Sequence, residues 1–453
     1  MGKLFGTDGI RGVVGKTLTA ELAFHVGQAL STVLQAQLAR KPLITIGKDT
    51  RISSDMLEAA LSAGICSVGG DVLLLGTIPT PAVAFLTVQE QADAGVVISA
   101  SHNPYEHNGI KVFNAQGYKL PDDMEDQIEA LLLSHAAMDI KSGDDLGRCR
   151  NGAQEMHEDY LNHLVSSIGC DLSGLRVLVD CANGAAAATA PDLFLRLPVM
   201  ADFINIDPDG VNINNNCGST HLEQLAAMTR AGGYQLGIAF DGDADRCLLV
   251  DEKGGVIDGD RIMAVCALEL RRQGRLTNNT VVATVMSNLG LHEFCRKEQI
   301  DLVCTAVGDR HVLEKMLACD YAIGGEQSGH MIFRQYSTTG DGELTALQFL
   351  KALKHAGCPA SELVSCCAQY PQELVNVTLE HGVGEKERIM ASPILQQAVA
   401  EEESMLAGEG RILIRPSGTE ALIRVMVEAK TDLLAQKVAG NLSELVKKLS
   451  KMH

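Results

Sequence analysis

The chain has 453 residues, too many for one hydrophobic core, and its 46% hydrophobic and 21% charged residues are those of a folded globular protein. A formal charge of −19 with no Lys/Arg-rich run excludes non-specific binding to nucleic acid or to an anionic membrane, since either needs a basic face. The 13 scattered cysteines include no CxxC pair, which argues against a disulfide framework or a zinc site and places the chain in a reducing, cytoplasmic setting.

Taken in chain order, the opening MGKLFGTDGIRG lacks the apolar core of a signal peptide, and no run of about 18 apolar residues follows anywhere, so no membrane span is expected. Gly15-Lys16-Thr17 invites comparison with a nucleotide-binding phosphate loop. That loop would need its first glycine at Ile10 and a strand before it, and neither is expected. From Leu43 the pattern alternates: strand LITIG, a helix from Ser54 through Val68, strand DVLLLG, a short helix after IPTPAV, and strand AGVVIS. This βαβαβ order predicts parallel pairing. Asn103-Pro104 then breaks the chain sharply, so Ser99, Ser101 and His102 should lie on a loop at a strand's C-terminal end, where open α/β sheets bind ligands.

After the polar stretch KSGDDLGRCRNGAQ the pattern restarts, with strand LRVLVD, an Ala-rich helix beyond Asn183-Gly184, and strand LGIAF. FDGDADRC follows. Asp241, Asp243 and Asp245 come at spacing two, so extended backbone would project them from one side, and three like charges require a cation between them. Oxygen ligands alone favour Mg²⁺, Mn²⁺ or Ca²⁺. An EF-hand loop also fits D-x-D-x-D with Glu252 at its last position, but Arg246 stands where the tight turn wants Gly, and the flanks read as strands.

A third round runs from a helix near Asp260 through strands TVVATVM and DLVCTAV to the helix GELTALQFLKALKHAG. Within it, GGEQSGH sets a carboxylate, a hydroxyl and an imidazole between glycines, acceptors suited to sugar hydroxyls with a His able to move protons near neutral pH. The last segment differs, with strands QELVNVTLE, GRILIR and ALIRVMVE and a helix from Asp432 to Met452, an α+β unit. Its loop IRPSGTEALIRV offers two guanidiniums, two hydroxyls and a flexible glycine, either a phosphate cradle or an ordinary Pro-Ser-Gly hairpin. Ser101 lacks a G-x-S-x-G elbow, so phosphoryl chemistry beside a metal suits it better than acyl transfer.

Together GTDGIRG, SASHNP with NGIK, DGDADR, GEQSGH and RPSGTE resemble the α-D-phosphohexomutase superfamily in order and spacing over nearly the whole chain. Within it the opening FGTDGIRG, the GEQSGH loop and the ending RPSGTEALIRVMVEA are most similar to the branch that interconverts glucosamine 6-phosphate and glucosamine 1-phosphate for UDP-N-acetylglucosamine and cell-wall synthesis. The phosphomannomutase/phosphoglucomutase branch competes, and a sugar-phosphate phosphatase is a more distant alternative. The resemblance implies that Ser101 becomes phosphoserine and, with Asp241, Asp243 and Asp245, holds one Mg²⁺. It implies Arg11 and Lys111 at the reacting phosphoryl group with Arg246 alongside, and Glu326 and Ser328 on sugar hydroxyls. His330 would be the proton shuttle, and Arg415, Ser417, Gly418, Thr419 and Arg424 would grip the other phosphate. It further implies glucosamine 1,6-bisphosphate as intermediate and activator, and a homodimer. The implied fold is three similar α/β domains with mixed sheets around a central cleft plus a C-terminal α+β domain, drawn at 1–153, 154–255, 256–369 and 370–453. DGDADR carries Ala244 where Gly is frequent, and a methyl group there should leave the three carboxylates in place.

Overall fold

A strand covered on both faces has no polar side to show, and AGVVI and LGIAF are of this kind, every residue of each being buried. They lie inside two of the sheets of a computed structural model that describes residues 4–6, 8–134, 138–379, 384–406, 408–417 and 421–451. These residues fall into two compact units, one of residues up to 286 with 300–366, the other of 287–299 with 367 onward.

In the first unit, strands β1 (Ile10–Val13), β2 (Leu43–Lys48), β3 (Asp71–Thr77), β4 (Ala94–Ile98), β5 (His107–Asn114) and β6 (Cys149–Asn151) form one sheet in the order β1-β5-β4-β2-β3-β6. A second sheet takes β7 (Arg176–Asp180), β8 (Met200–Ile204), β9 (Leu236–Phe240), β10 (Cys247–Asp251) and β11 (Val256–Ile257) in the order β11-β10-β9-β7-β8. A third takes β12 (Thr280–Thr284), β13 (Asp301–Thr305), β14 (Ile323–Gly325) and β15 (Met331–Phe333) in the order β13-β12-β14-β15. The shared plan is β5-β4-β2-β3, β10-β9-β7-β8 and β15-β14-β12-β13, in which each first pair is antiparallel and the rest parallel. The fold is three similar α/β sheets built on one plan. Each plan therefore has one tight connection from a parallel strand back to its antiparallel neighbour, and these connections are residues 99–106, 241–246 and 326–330. The expected SASHNP, DGDADR and GEQSGH loops occupy equivalent positions.

Most expected elements stand where the apolar pattern put them; the helix expected from Ser54 through Val68 spans Ser54–Ser67, and GELTALQFLKALKHA is a helix over Gly342–Ala356 capped by Asp341, whose carboxylate accepts the Leu344 N–H. The helix Ala20–Leu38 and strand β1 were not expected. Strand β1 begins at Ile10 itself, so among the described residues no strand precedes the position where that loop would start. The nucleotide-loop reading still fails, because β1 runs through the positions that would have to be loop, paired residue by residue with β5.

The second unit holds β16 (Gln372–Thr378), β17 (Gly410–Pro416) and β18 (Leu422–Ala429), antiparallel in the order β16-β18-β17. Helix Asp432–Ser450 lays Val438, Ala439, Leu442 and Val446 against Val377, Ile423, Val425 and Val427. Full burial of one such side chain is worth about 1.5–3 kcal/mol, so this α+β layer has a core of its own. Met452, the expected end of the helix, lies outside the described residues. Helix Leu289–Glu298 belongs to this unit because the buried Glu428 carboxylate accepts the Leu289 N–H at 2.9 Å and Arg411 Nη2 donates to the Ser287 carbonyl at 2.7 Å. Among the described residues no helix is long and apolar enough to cross a membrane.

Candidate active site

Ser101 follows the end of β4 and is 1% exposed, in the left-handed region with φ 53°. Its hydroxyl donates to Asp241 Oδ2 at 2.6 Å and lies 3.3 Å from His102 Nδ1. Asp241, Asp243 and Asp245 are all buried, and each offers a carboxylate oxygen within 4.8 Å of the others.

The three carboxylates do not converge through extended backbone, as their spacing had implied. Beyond β9 the chain turns, the Ala244 N–H closes onto the Asp241 carbonyl at 3.0 Å, and Ala244 itself takes φ 54°. Spacing two along a straight strand and convergence around a turn give the same carboxylate cluster by different geometry. Ala244 is a non-glycine residue in a conformation that costs about 1–2 kcal/mol, and this is where a glycine would relieve strain. Gly242 is demanded for a different reason: a Cβ there would lie 2.6 Å from the Ser101 carbonyl oxygen and 2.7 Å from Asn214 Nδ2, so only glycine lets the aspartate turn approach the serine loop.

Three buried carboxylates need compensation. Lys111, on β5, reaches Asp243 Oδ2 at 2.8 Å, Asp8 Oδ2 at 3.3 Å and Asp245 Oδ2 at 3.7 Å. Burial opposes its charge, but Asp243, Asp8 and Asp245 together raise its pKa above the usual lysine value. Burial first, then Asp245 and Asp243, push the Asp241 carboxyl well above the usual carboxylate range, while for Asp245 the Lys111, His330 and Arg246 charges overcome burial and hold it low. Thr80 Oγ1 donates to Asp243 Oδ2 at 2.7 Å. Asp243 Oδ1 and Asp245 Oδ1 are buried with no hydrogen-bond partner. Orphaned, converging oxygens with no nitrogen or sulfur donor among them are a ligand set for a hard divalent ion, so the residues present fit Mg²⁺.

Arg11, on β1, pairs with Asp8, which also receives Lys111 and Lys119, so Asp8 links two of the expected phosphoryl-binding cations. Lys119 continues to Asp309 at 2.8 Å. Arg246 donates its backbone N–H to Asp241 Oδ1 and lies with Nη1 3.3 Å from His102 Nδ1. His330 is buried, with Nδ1 3.7 Å from Asp245 Oδ2 and Nε2 accepting the Gly340 N–H at 3.1 Å. Burial disfavours its cation, yet Asp245, Asp309 and Glu326 lift its pKa to about 9, while the Gly340 amide favours the neutral ring. A Cβ at Gly340 would fall 2.5 Å from the ring, so the imidazole is fixed by close packing. Glu326 Oε1 accepts the Gly308 N–H at 3.1 Å, and Ser328 is exposed in the same 326–330 turn. The structure thus brings Ser101, the three aspartates, Lys111, Arg246 and His330 together, with Arg11 joined through Asp8.

In the second unit Arg415 on β17 stands directly opposite Arg424 on β18. Like charges facing across a ladder repel, and burial together with Arg424 lowers the Arg415 pKa. The Arg415 Nε is buried without a hydrogen-bond partner, and the Ser417 carbonyl accepts Lys386 Nζ. Gly418 and Thr419 lie outside the described residues.

Models of the phosphoglucomutase/phosphomannomutase family match in sequence order: alpha/beta/alpha domain I at residues 2–138, domain II at 158–255, domain III at 258–370 and the C-terminal domain at 374–445. The chain is 51% identical to a phosphoglucosamine mutase of Acetivibrio thermocellus over 98% of this chain and 99% of that one. The chain belongs to the phosphoglucosamine mutase family. In fold it is similar to a phosphoglucomutase/phosphomannomutase family protein of Burkholderia thailandensis, with TM-score 0.82, 23% identity and coverage of 100% of this chain and 99% of the other. It is also similar to Aspergillus fumigatus N-acetylphosphoglucosamine mutase, whose structure is a complex with GlcNAc-6P and magnesium, at TM-score 0.68, 18% identity and coverage of 100% and 96%. Membership in this family accords with the phosphohexomutase resemblance of the motifs.

Proposed function

We propose that the chain interconverts glucosamine 6-phosphate and glucosamine 1-phosphate, carrying the phosphoryl group on Ser101 and passing through glucosamine 1,6-bisphosphate. The observation that carries this reading is the 2.6 Å hydrogen bond from Ser101 Oγ into a buried cluster of three carboxylates, in a chain of the phosphoglucosamine mutase family. The transfer breaks the Oγ–P bond of phospho-Ser101 and forms an O–P bond on the free hydroxyl of the sugar phosphate, whose proton ends on Ser101 Oγ. That hydroxyl is the one donating to Asp241.

Asp241, Asp243, Asp245 and the Ser101 phosphate would hold one Mg²⁺, which when bound neutralises charge on the phosphoryl oxygens. A group in flight is metaphosphate-like, so the protein's task is to position it and to set positive charge around it. Lys111 is held at the cluster by Asp243, and Asp8 keeps Arg11 beside it. Arg246 is assigned to the substrate phosphoryl side, and Glu326 with Ser328 to the sugar hydroxyls. Arg415, Ser417 and Arg424, with Gly418 and Thr419, hold the phosphate that is not reacting. With Nε2 on Gly340 and Nδ1 toward Asp245, His330 fits the role of orienting that carboxylate, and moving a proton requires it to release one of these contacts. The same reading divides the chain into domains at 1–153, 154–255, 256–369 and 370–453, and places the enzyme in the cytoplasm.

The reading is tested by comparing kcat/KM for glucosamine 1-phosphate, glucose 1-phosphate and mannose 1-phosphate with Mg²⁺ and a trace of the matching bisphosphate. Glucosamine 1-phosphate should lead by at least about tenfold, the scale of one added polar contact. Equal values would assign a general hexose enzyme, and net phosphate release would assign a phosphatase.

A further inference from the structure

Ser101 sits in a backbone conformation that non-glycine residues avoid, and something must over-determine it. Neither its N–H nor its C=O is held by a sheet ladder. The carbonyl accepts Arg51 Nη2 at 2.8 Å and Asn214 Nδ2 at 2.9 Å, and the N–H donates to Ser99 Oγ at 3.0 Å. Ser99 Oγ in turn donates to Asp49 Oδ2 at 2.6 Å, and Arg51 Nε donates to the same oxygen at 2.8 Å. The circuit closes: both ends of the serine's main chain return to one ion pair, Asp49 and Arg51, whose side chains are 0% exposed.

The rest of the guanidinium's hydrogen-bonding capacity is spent on the same loop, and that of the carboxylate on its own segment. Arg51 Nη2 also donates to the Asn103 carbonyl at 2.8 Å and Nη1 to the Pro104 carbonyl at 2.6 Å, while Asp49 Oδ1 accepts Ser54 Oγ and the Arg51 N–H, each at 3.0 Å. A buried ion pair is expensive to desolvate. Here a planar guanidinium reaches three carbonyls and a carboxylate at once, a geometry a lysine cannot reproduce. The flanking residues tie the segment to the second sheet's loops: Thr50 Oγ1 donates to the Asn183 carbonyl at 2.6 Å, the Ile52 N–H to the Gly210 carbonyl at 2.9 Å, and the Ala185 N–H to the Gly242 carbonyl at 2.8 Å, inside the aspartate turn. The serine loop and the aspartate turn are thus referred to one anchor. Among the described residues no hydrogen bond of the pair goes to Ser101 Oγ or to the three aspartates, and its own charges cancel, so it contributes placement and not charge.

We infer that the buried Asp49–Arg51 pair, relayed through Ser99, is the positioning device that sets the backbone of Ser101 and aims its hydroxyl at Asp241. This rests on the reading of Ser101 as the phosphoryl carrier. The test is to phosphorylate wild-type, Ser99→Ala and Arg51→Lys enzymes with glucosamine 1,6-bisphosphate and to measure single-turnover transfer to glucosamine 1-phosphate, steady-state KM, Mg²⁺ affinity by calorimetry and the melting temperature. Misplacing a reacting atom by about 1 Å costs about a hundredfold, and that is the fall expected for Arg51→Lys, with about tenfold for Ser99→Ala. KM, and the Mg²⁺ affinity of the unphosphorylated proteins, should stay within about twofold, because the three aspartates and the substrate-binding groups are untouched. Transfer by Ser99→Ala at the wild-type rate would overturn the inference, as would a loss of rate accompanied by a rise in KM and falls in Mg²⁺ affinity and melting temperature. A Ser101→Ala control that still turns over would instead remove the underlying reading, so the two failures are told apart.

Discussion

Ser101→Ala should reduce mutase turnover by at least about 10,000-fold, the scale on which an essential nucleophile acts, while the protein stays folded. The loss is chemical because no nearby hydroxyl can stand in. Ser99 Oγ is committed to Asp49 and to the Ser101 N–H, and Thr80 Oγ1 to Asp243. The fold survives because alanine meets the same backbone strain as serine, and the change forfeits the single strong hydrogen bond to Asp241, a term of about 1–3 kcal/mol. Circular dichroism and a melting curve check the second half of the prediction, and an assay with saturating bisphosphate checks the first. Turnover within tenfold of wild type, roughly the loss a remote substitution produces, would remove Ser101 from the reaction.

The aspartate cluster gives the second large effect. Chelation should silence the enzyme, and Mg²⁺ should restore it. Asp243→Asn should lower kcat by about 100- to 1,000-fold, as removal of a centre that stabilises transition-state charge does. The variant alters one of the three buried carboxyl groups, the one whose Oδ1 has no hydrogen-bond partner, and it deprives Lys111 of its shortest ionic contact at 2.8 Å. A readout independent of catalysis follows from linkage: at a free Mg²⁺ concentration of about 100 Kd the ion stabilises the wild type by about 2.7 kcal/mol, so its melting temperature should rise. That of Asp243→Asn should rise far less at the same concentration. Equal Mg²⁺-induced shifts in the two proteins would place the ion elsewhere.

How much of this was legible in the sequence depended on whether a feature is local. Ser101 and the aspartates could be placed at strand ends because AGVVI and LGIAF are unbroken apolar runs followed at once by polar turn residues, and the strands β4 and β9 end there. The shape of the aspartate turn was not legible, because Ala244 carries no mark of the left-handed conformation that a glycine would have announced. Strand β1 was hidden by its length and by Gly12 in its middle. The residues that surround the chemistry were hidden for a different reason. Arg51 acts on carbonyls, and Asp49 on a hydroxyl, about fifty positions away, and Asn214 on a carbonyl more than a hundred away, and nothing in KDTR or NINNN advertises a partner at that range. The one available signal was position: KDTR begins at the last residue of a buried parallel strand, Lys48 of β2, the end at which α/β sheets build their sites. In the second unit the motif IRPSGTEALIRV named Arg415 and Arg424, but their face-to-face pairing emerged from the ladder register between β17 and β18.

On the proposed reading, the hydroxyl of residue 101 exchanges a phosphoryl group with an amino-sugar phosphate. Its most direct test is the mass of the peptide containing Ser101, taken after incubation with glucosamine 1,6-bisphosphate and Mg²⁺ and again after a chase with unlabelled glucosamine 1-phosphate. One phosphate should reside on Ser101 in the first sample and should have passed to the sugar in the second. A fully active enzyme whose Ser101 peptide never carries phosphate, or whose phosphate resides on another residue and leaves with the chase, would contradict it.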